Sequence, residues 1–299
     1  MRLPAIDVVV PTTRFDDAAS PAAASHPLRV RSRGRTDRGL VRSTNEDQFL
    51  IGDLAHALQA RQSSLSEPEV RYSAPQGYLF VVADGVGGHA GGERASALAV
   101  DTVESFVLET LNWCACLKGE DGNQVLADFQ RALVRADAKL IQEARQRPEL
   151  QGMATTLTLA YALDRELFIA HVGDSRCYLL RNNMLYQLTN DHTLVDEMVR
   201  HGALKPEEAA HHRLRHVVTN VVGGKDQGVR VEMHKLPLEA KDRILLCSDG
   251  LTEMVSDAEI LKLLGSTEEA GDSCDRLIER ALEAGGKDNV TVIVAEFEE

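Results

Sequence analysis

The sequence predicts an α+β fold in which antiparallel strand blocks and two pairs of helices form the layers of one domain. Two observations point there. After Ala154 the apolar runs TTLTLAYAL, ELFIAHV, CYLLR and MLYQLT follow one another through turns as short as Asp164-Arg165 and Asn182-Asn183. That is the pattern of antiparallel meanders, not of strand and helix in alternation. Helical periodicity is confined to segments that stand between the strand blocks, so the helices are expected to cover the sheets. The 299 residues, 43% of them apolar, supply material for a substantial core, and no internal repeat is visible.

Residues 1–27 hold four of the nine prolines and an Ala/Ser-rich stretch, and they read as a flexible leader ahead of a single domain over 28–299. DVVV within it has the composition of an edge strand. From Arg29, VRSRGRTDRG and LVRSTNEDQFLIG suggest a strand and hairpin approach with a polar cluster. Residues 53–76 are rich in Gln, Ser, Glu and Pro with little periodicity, as expected of an insertion between two strands. The strand YLFVVA leads into DGVGGHAGGE and then a helix with Ala95, Leu98, Ala99, Val103, Phe106 and Leu111 on one face. A second helix spans about 124–146, with Val125, Phe129, Leu133, Ala136 and Leu140 on its apolar face, and Pro148 closes it. Residues 191–225 are polar, His-rich and weakly helical. RVEMHKL, RILLCS and VTVIVAEF supply the remaining strands, with helices over about 257–265 and 272–284 between the last two.

The net charge of −13 argues against nucleic acid and anionic membrane as partners, because no cation surplus exists to release counter-ions from a phosphate backbone. No apolar run approaches the length of a membrane span and no signal peptide is evident. A soluble, cytoplasmic monomer is expected. Five cysteines are an odd number for a disulfide framework. Cys114 and Cys116 lack a second metal-binding pair, and Cys177 and Cys247 sit inside apolar runs, so all four read as small filler for a reducing compartment.

The chemical signal lies in four carboxylates at or beside the ends of apolar runs. Asp84 follows YLFVVA, Asp174 follows LFIAHVG, Asp249 follows ILLCS, and Asp288 precedes VTVIVAE. A single Asp there is an ordinary turn residue. Four, each next to Gly or Asn, suggest oxygen ligands gathered for a hard divalent cation such as Mg²⁺ or Mn²⁺. Gly85 and Gly250 follow two of them, which lets a backbone carbonyl approach a metal. Arg42 stands three residues ahead of Asn45-Glu46-Asp47, and a planar guanidinium beside acids suits phosphate chemistry. A surface ion pair in a turn explains that cluster equally well when it is taken alone.

The strings TDRGLVRSTNEDQF, VVADGVGGHAGGERAS, TTLTLAYALDRELFIAHVGDSRCYLLR, LTNDHTLV, LLCSDGLTEMV and GKDNVTVIVAEF resemble, in order and spacing, the motifs of the bacterial metal-dependent serine/threonine protein phosphatases, the PPM or type-2C family. The resemblance runs from about Arg33 to Phe297. It implies a central antiparallel β-sandwich flanked by helix pairs on both faces, an α-β-β-α arrangement of four layers. It further implies hydrolysis of phosphoserine and phosphothreonine on proteins, the targets of a serine/threonine kinase in signal transduction. The cofactors implied are two Mn²⁺ or Mg²⁺ ions with a weaker third.

By match to the motifs, Asp84 would bridge the two metals, Asp249 and Asp288 would hold one, and Gly85 and Glu46 would serve the other. Asp174 would help hold the third. Asp47 would orient water and Arg42 would bind the substrate phosphate. The implied reaction is in-line attack by a metal-bridging hydroxide without a phospho-enzyme intermediate. Consistent with it, no Cys sits in a phosphate-cradling Gly/Arg loop. One departure stands out: eukaryotic members carry a His after the Asp-Gly pair and this chain has Val86. His89 reads as part of the Gly-rich turn, so the acid for the leaving group is unassigned. Residues 191–224 match the family's flap. Its His192, His201, His211, His212 and His216 have irregular spacing and read as part of a solvated, mobile loop, not a zinc site.

Overall fold

The computed structural model describes residues 28–55, 57–59, 70–72, 77–86, 90–110, 122–209, 212–224, 228–266 and 269–299. The expected leader, most of the 53–76 segment, His89, Cys114, Cys116 and His211 lie outside them. Two antiparallel sheets face each other. One is ordered β1 (Arg29–Asp37), β14 (Val290–Glu298), β13 (Arg243–Cys247), β9 (Arg176–Arg181) and β10 (Met184–Gln187). The other runs β11 (Val222–Gly223), β6 (Ala154–Thr155), β5 (Gly77–Val86), β7 (Leu157–Leu163), β8 (Glu166–Val172) and β12 (Glu232–Pro237), with β2 (Asp47–Leu54) also paired to β5. Within the 53–76 segment, β3 (Ala57–Gln59) and β4 (Val70–Tyr72) pair with each other.

Helices α1 (Ala90–Thr110) and α2 (Gly122–Gln146) cover the second sheet, and α6 (Asp257–Gly265) and α7 (Ala270–Glu283) cover the first. Shorter helices are α3 (Leu194–Arg200), α4 (Pro206–Ala209) and α5 (Asp249–Thr252). The four layers expected from the sequence are therefore present. Coverage on both faces explains why the central strands are apolar throughout: side chains alternate sides along a strand, and here neither side meets water. In β5, Phe80 and Val82 enter the core between the sheets while Leu79, Val81 and Ala83 face the helices. In β13, Ile244 and Leu246 point inward while Leu245 and Cys247 pack against α6 and α7. Antiparallel sheets with one wet face would show an apolar/polar alternation instead.

Local sequence decides where the elements stop. Asn182 and Asn183, at φ 51° and 58°, form a two-residue hairpin between β9 and β10; both central residues left-handed is the arrangement of a type I′ turn, which Asn tolerates. Helix α2 ends two residues before Pro148, as a proline's effect on the preceding residue requires. Ser256 and Glu259 form a capping box at the start of α6. Helix α7 starts at Ala270, two residues earlier than the sequence suggested, because Ala270 is buried in the same cluster as Cys274, Leu277 and Ile278. Cys177, Cys247 and Cys274 are buried and free, the packing role expected of the first two. Among the described residues no helix is long and apolar enough to cross a membrane.

Candidate active site

Five strand ends from both sheets meet at one edge of the sandwich. The C-terminal end of β5 brings Asp84 and Gly85, the turn after β8 brings Asp174, and β13 runs through Ser248 into Asp249 at the start of α5. The segments leading into β2 and β14 bring Arg42 and Glu46, and Asp288. All of these but the buried Ser248 line one cleft of about 530 Å³. The register of β2 on β5 sets Asp47 directly opposite Asp84. Asp47 is buried at 2% exposure, below the cleft wall and not on it.

Backbone clamps hold these segments together. Asn289 donates from Nδ2 to the carbonyls of Arg38 and Thr44 at 2.9 and 2.8 Å, and its Oδ1 accepts from the Glu46 N–H at 2.8 Å. The Gly85 N–H donates to the Glu46 carbonyl at 3.2 Å, which Ser96 Oγ also contacts at 2.6 Å. The Asp84 backbone is fixed by Thr155 and Thr156, whose hydroxyls lie 2.8 and 3.0 Å from its carbonyl and amide. Close approach also dictates two glycines. A Cβ on Gly85 would overlap the Gly92 carbonyl, and one on Gly250 would overlap the carbonyl of Asn289.

The electrostatics are those of anions forced together. Burial, then the charges of Asp47 and Asp249, hold the Asp84 carboxyl well above the ordinary carboxylate range. Burial followed by Asp174 does the same to Asp249. Burial also raises Asp174 to about 6, with Asp191 adding to it. Asp47 is pushed up to about 6 by burial, against the pull of hydrogen bonds from Thr291 Oγ1 at 2.7 Å and Ser248 Oγ at 2.8 Å to its Oδ2. Its other oxygen, Oδ1, is buried without a hydrogen-bond partner among the described residues, a costly state for a polar atom. Hard oxygen donors, mutual repulsion and an orphaned carboxylate oxygen together fit divalent cations of the Mg²⁺ or Mn²⁺ type. Arg42 is the counterweight at the rim: it donates to Asp288 at 2.5 Å and keeps 55% of its side chain exposed.

Ser248, Thr291 and Asn289 are site residues that the sequence reading did not assign. The signal was a hydroxyl or amide breaking an apolar run, in ILLCS and NVTVIV. The histidines of 191–224 also separate. His192 is buried, not solvated: its Nδ1 accepts from the Gly173 N–H at 3.0 Å and its Nε2 lies 3.2 Å from Glu232. Beside it, His171 contacts Thr158 and the carbonyls of Gly173 and Asn190. His171, His192 and Glu232 present ligand atoms within 4.8 Å of one another, but the ring nitrogens are engaged in these hydrogen bonds. The cluster works as a polar brace behind Asp174. His216, by contrast, lies on the cleft wall.

A family model described as protein phosphatase 2C matches residues 70–287. The chain is 37% identical over 269 residues to the serine/threonine protein phosphatase PstP of Mycobacterium tuberculosis, covering 90% of this chain and 45% of that protein. It therefore spans a little under half the length of that relative. It is 34% identical over 262 residues to the serine/threonine phosphatase stp of Listeria monocytogenes, covering 88% of this chain and 94% of the other. Among solved structures, the catalytic domain of PstP in complex with two manganese ions superposes with a TM-score of 0.71 at 35% identity, over 91% of this chain and all of that one. Stp1 of Staphylococcus aureus superposes with a TM-score of 0.75 at 30% identity, over 94% of this chain and all of that one.

Proposed function

Because this chain belongs to the protein phosphatase 2C family of serine/threonine phosphatases, we propose that it hydrolyses phosphoserine and phosphothreonine on proteins phosphorylated by a serine/threonine kinase. The observation that carries the reading is the convergence of Asp84, Asp249, Asp288 and Glu46 with Arg42 around one cleft. Asp84 would serve both of two Mn²⁺ or Mg²⁺ ions, Asp249 and Asp288 would hold one, and Gly85 and Glu46 the other. Asp174 would help hold a weaker third. The two manganese ions in the PstP structure support this number and type. When bound, the ions supply charge against the phosphate and acidify water near neutral pH.

The chain's own groups do the rest. Arg42, anchored on Asp288, has further N–H donors for the equatorial phosphate oxygens. Asp47, with Oδ2 held by Ser248 and Thr291, keeps Oδ1 as the acceptor that orients the attacking water. Water then displaces the serine or threonine oxygen in line, in one step. Among the described residues a cysteine nucleophile is disfavoured, since burial pushes the thiols of Cys247 and Cys274 up to about 12 and that of Cys177 higher still.

The test is hydrolysis of a phosphothreonine peptide by the full chain with Mn²⁺, with a chelator, and with Asp84→Asn. A drop of roughly a thousandfold or more in kcat for the variant, with its circular dichroism unchanged, is the expected result. A wild-type chain that hydrolyses no phosphopeptide with Mn²⁺ would instead be a phosphoprotein-binding module.

A further inference from the structure

Cleaving a phosphate ester of serine or threonine leaves a strongly basic alkoxide, so the reaction near neutral pH gains from a proton donor within hydrogen-bond reach of that oxygen. The residue after Asp84-Gly85 is Val86, 40% exposed on the cleft wall, and it has no proton to give. Apart from Glu253, which is paired with His216, the carboxylates lining the cleft are the proposed oxygen ligands. Guanidinium and ammonium groups, the classes of Arg42 and Lys287, are poor acids near pH 7. Among the described lining residues one imidazole remains, that of His216.

His216 enters from the turn that precedes the bridge of Val218 to Thr193, so it belongs to the segment between α4 and β11. Its Nδ1 pairs with Glu253 Oε1, and the side chain is 45% exposed. Its Nε2 has no partner among the described residues. Glu253 is not a free surface acid: its N–H donates to the Asp249 carbonyl at 2.9 Å, which closes the helical turn α5 that starts at the cleft. One short turn thus carries both Asp249 and the carboxylate that holds the imidazole. A carboxylate that accepts from the Nδ1–H fixes the ring and stabilises the imidazolium, whose second proton sits on Nε2 and is free to be donated.

We propose that His216 is the general acid of this phosphatase, with Glu253 as its positioning residue; this rests on the phosphatase reading. The water oxygen bonds to phosphorus and the bond from phosphorus to the substrate oxygen breaks. Its electron pair stays on the serine or threonine oxygen, which takes the proton from His216 Nε2. Inorganic phosphate and the free hydroxyl result. The attacking water releases one proton to solvent, and His216 regains one from solvent.

The experiment compares a phosphothreonine peptide with p-nitrophenyl phosphate, whose leaving group needs far less protonation, using the full chain loaded with Mn²⁺. His216→Gln is expected to lower kcat for the peptide about a hundredfold, at least tenfold more than for p-nitrophenyl phosphate, with KM little changed. Glu253→Gln should act in the same direction by a smaller factor. The double variant should be no slower than His216→Gln alone, the non-additivity of groups acting as a unit. Equal losses on both substrates, or a change confined to KM, would overturn the assignment and leave His216 as an anchor for its loop. If the wild-type chain hydrolyses neither substrate, the phosphatase reading itself falls. Asp84→Asn, which should abolish both hydrolyses, separates the two failures.

Discussion

Replacing Asp249 by Asn is expected to make the metal-free protein more stable while removing one site's share of its response to Mn²⁺. Burial and then the charges of Asp174, Glu253, Asp288 and Asp47 hold the Asp249 carboxyl well above its ordinary range. At pH 7 the folded protein bears the smaller of two costs, the repulsion or the protonation that relieves it. Protonation from an ordinary carboxylate pKa of about 3.9 costs at most about 4 kcal/mol at pH 7. A like charge at about 6 Å contributes roughly 3 kcal/mol at an effective dielectric constant of about 20, so two neighbours suffice to reach that ceiling.

Asn keeps the shape and removes the charge. Allowing about 1 kcal/mol for imperfect hydrogen bonding, the variant should gain roughly 1 to 3 kcal/mol, or a Tm higher by about 2 to 6 °C at about 2 °C per kcal/mol for a chain of this size. For the wild type, Mn²⁺ at a hundred times its Kd adds about 2.7 kcal/mol per site, and the variant should lose the share of the site that Asp249 serves. Scanning calorimetry of both proteins at pH 7, in chelator and in saturating Mn²⁺, reads both effects. A variant that melts below wild type in chelator, or gains as much from Mn²⁺, would refute the reasoning.

Two further outcomes are expected. Burial, with His192 adding to it, lowers His171 to about 4, so between about pH 6.5 and 4 the unfolded chain binds the extra proton. His171 therefore contributes stability that is complete above about pH 6.5 and is lost as pH falls through 4, about 3 kcal/mol in all. Urea unfolding of wild type and His171→Asn in chelator should show their stability difference shifting against wild type by that amount between pH 7.5 and 4, and a difference flat with pH would count against it. Gly250→Ala would drive a methyl into the Asn289 carbonyl, parting the β13 end from the segment that holds Asp288. A loss of at least about 2 kcal/mol is expected from the urea midpoint, together with most of the phosphopeptide hydrolysis. A variant of wild-type stability and rate would show that these segments can part at no cost.

Much of this protein is legible in its sequence because the signals are local. An apolar run that stops on an Asp marks a strand end, and Asp84, Asp174 and Asp249 are legible that way without any tertiary contact. The layered fold was legible for the same reason: helical and strand periods are properties of neighbouring residues. Asp47 shows where this runs out. Its sequence neighbours suggest a turn, yet it is buried because β2 registers it opposite Asp84, while Ser248 and Thr291 arrive from 201 and 244 residues away. His192 and His216 belong to one polar segment and read alike, but one ends up in a buried brace with His171 and Glu232 and the other on the cleft wall facing Glu253. Sequence by itself determined which residues end strands and which family of motifs they form. Tertiary structure alone decided which of them share a hydrogen bond, a charge or a cleft, since sheet register joins residues whose separation along the chain carries no periodic signal.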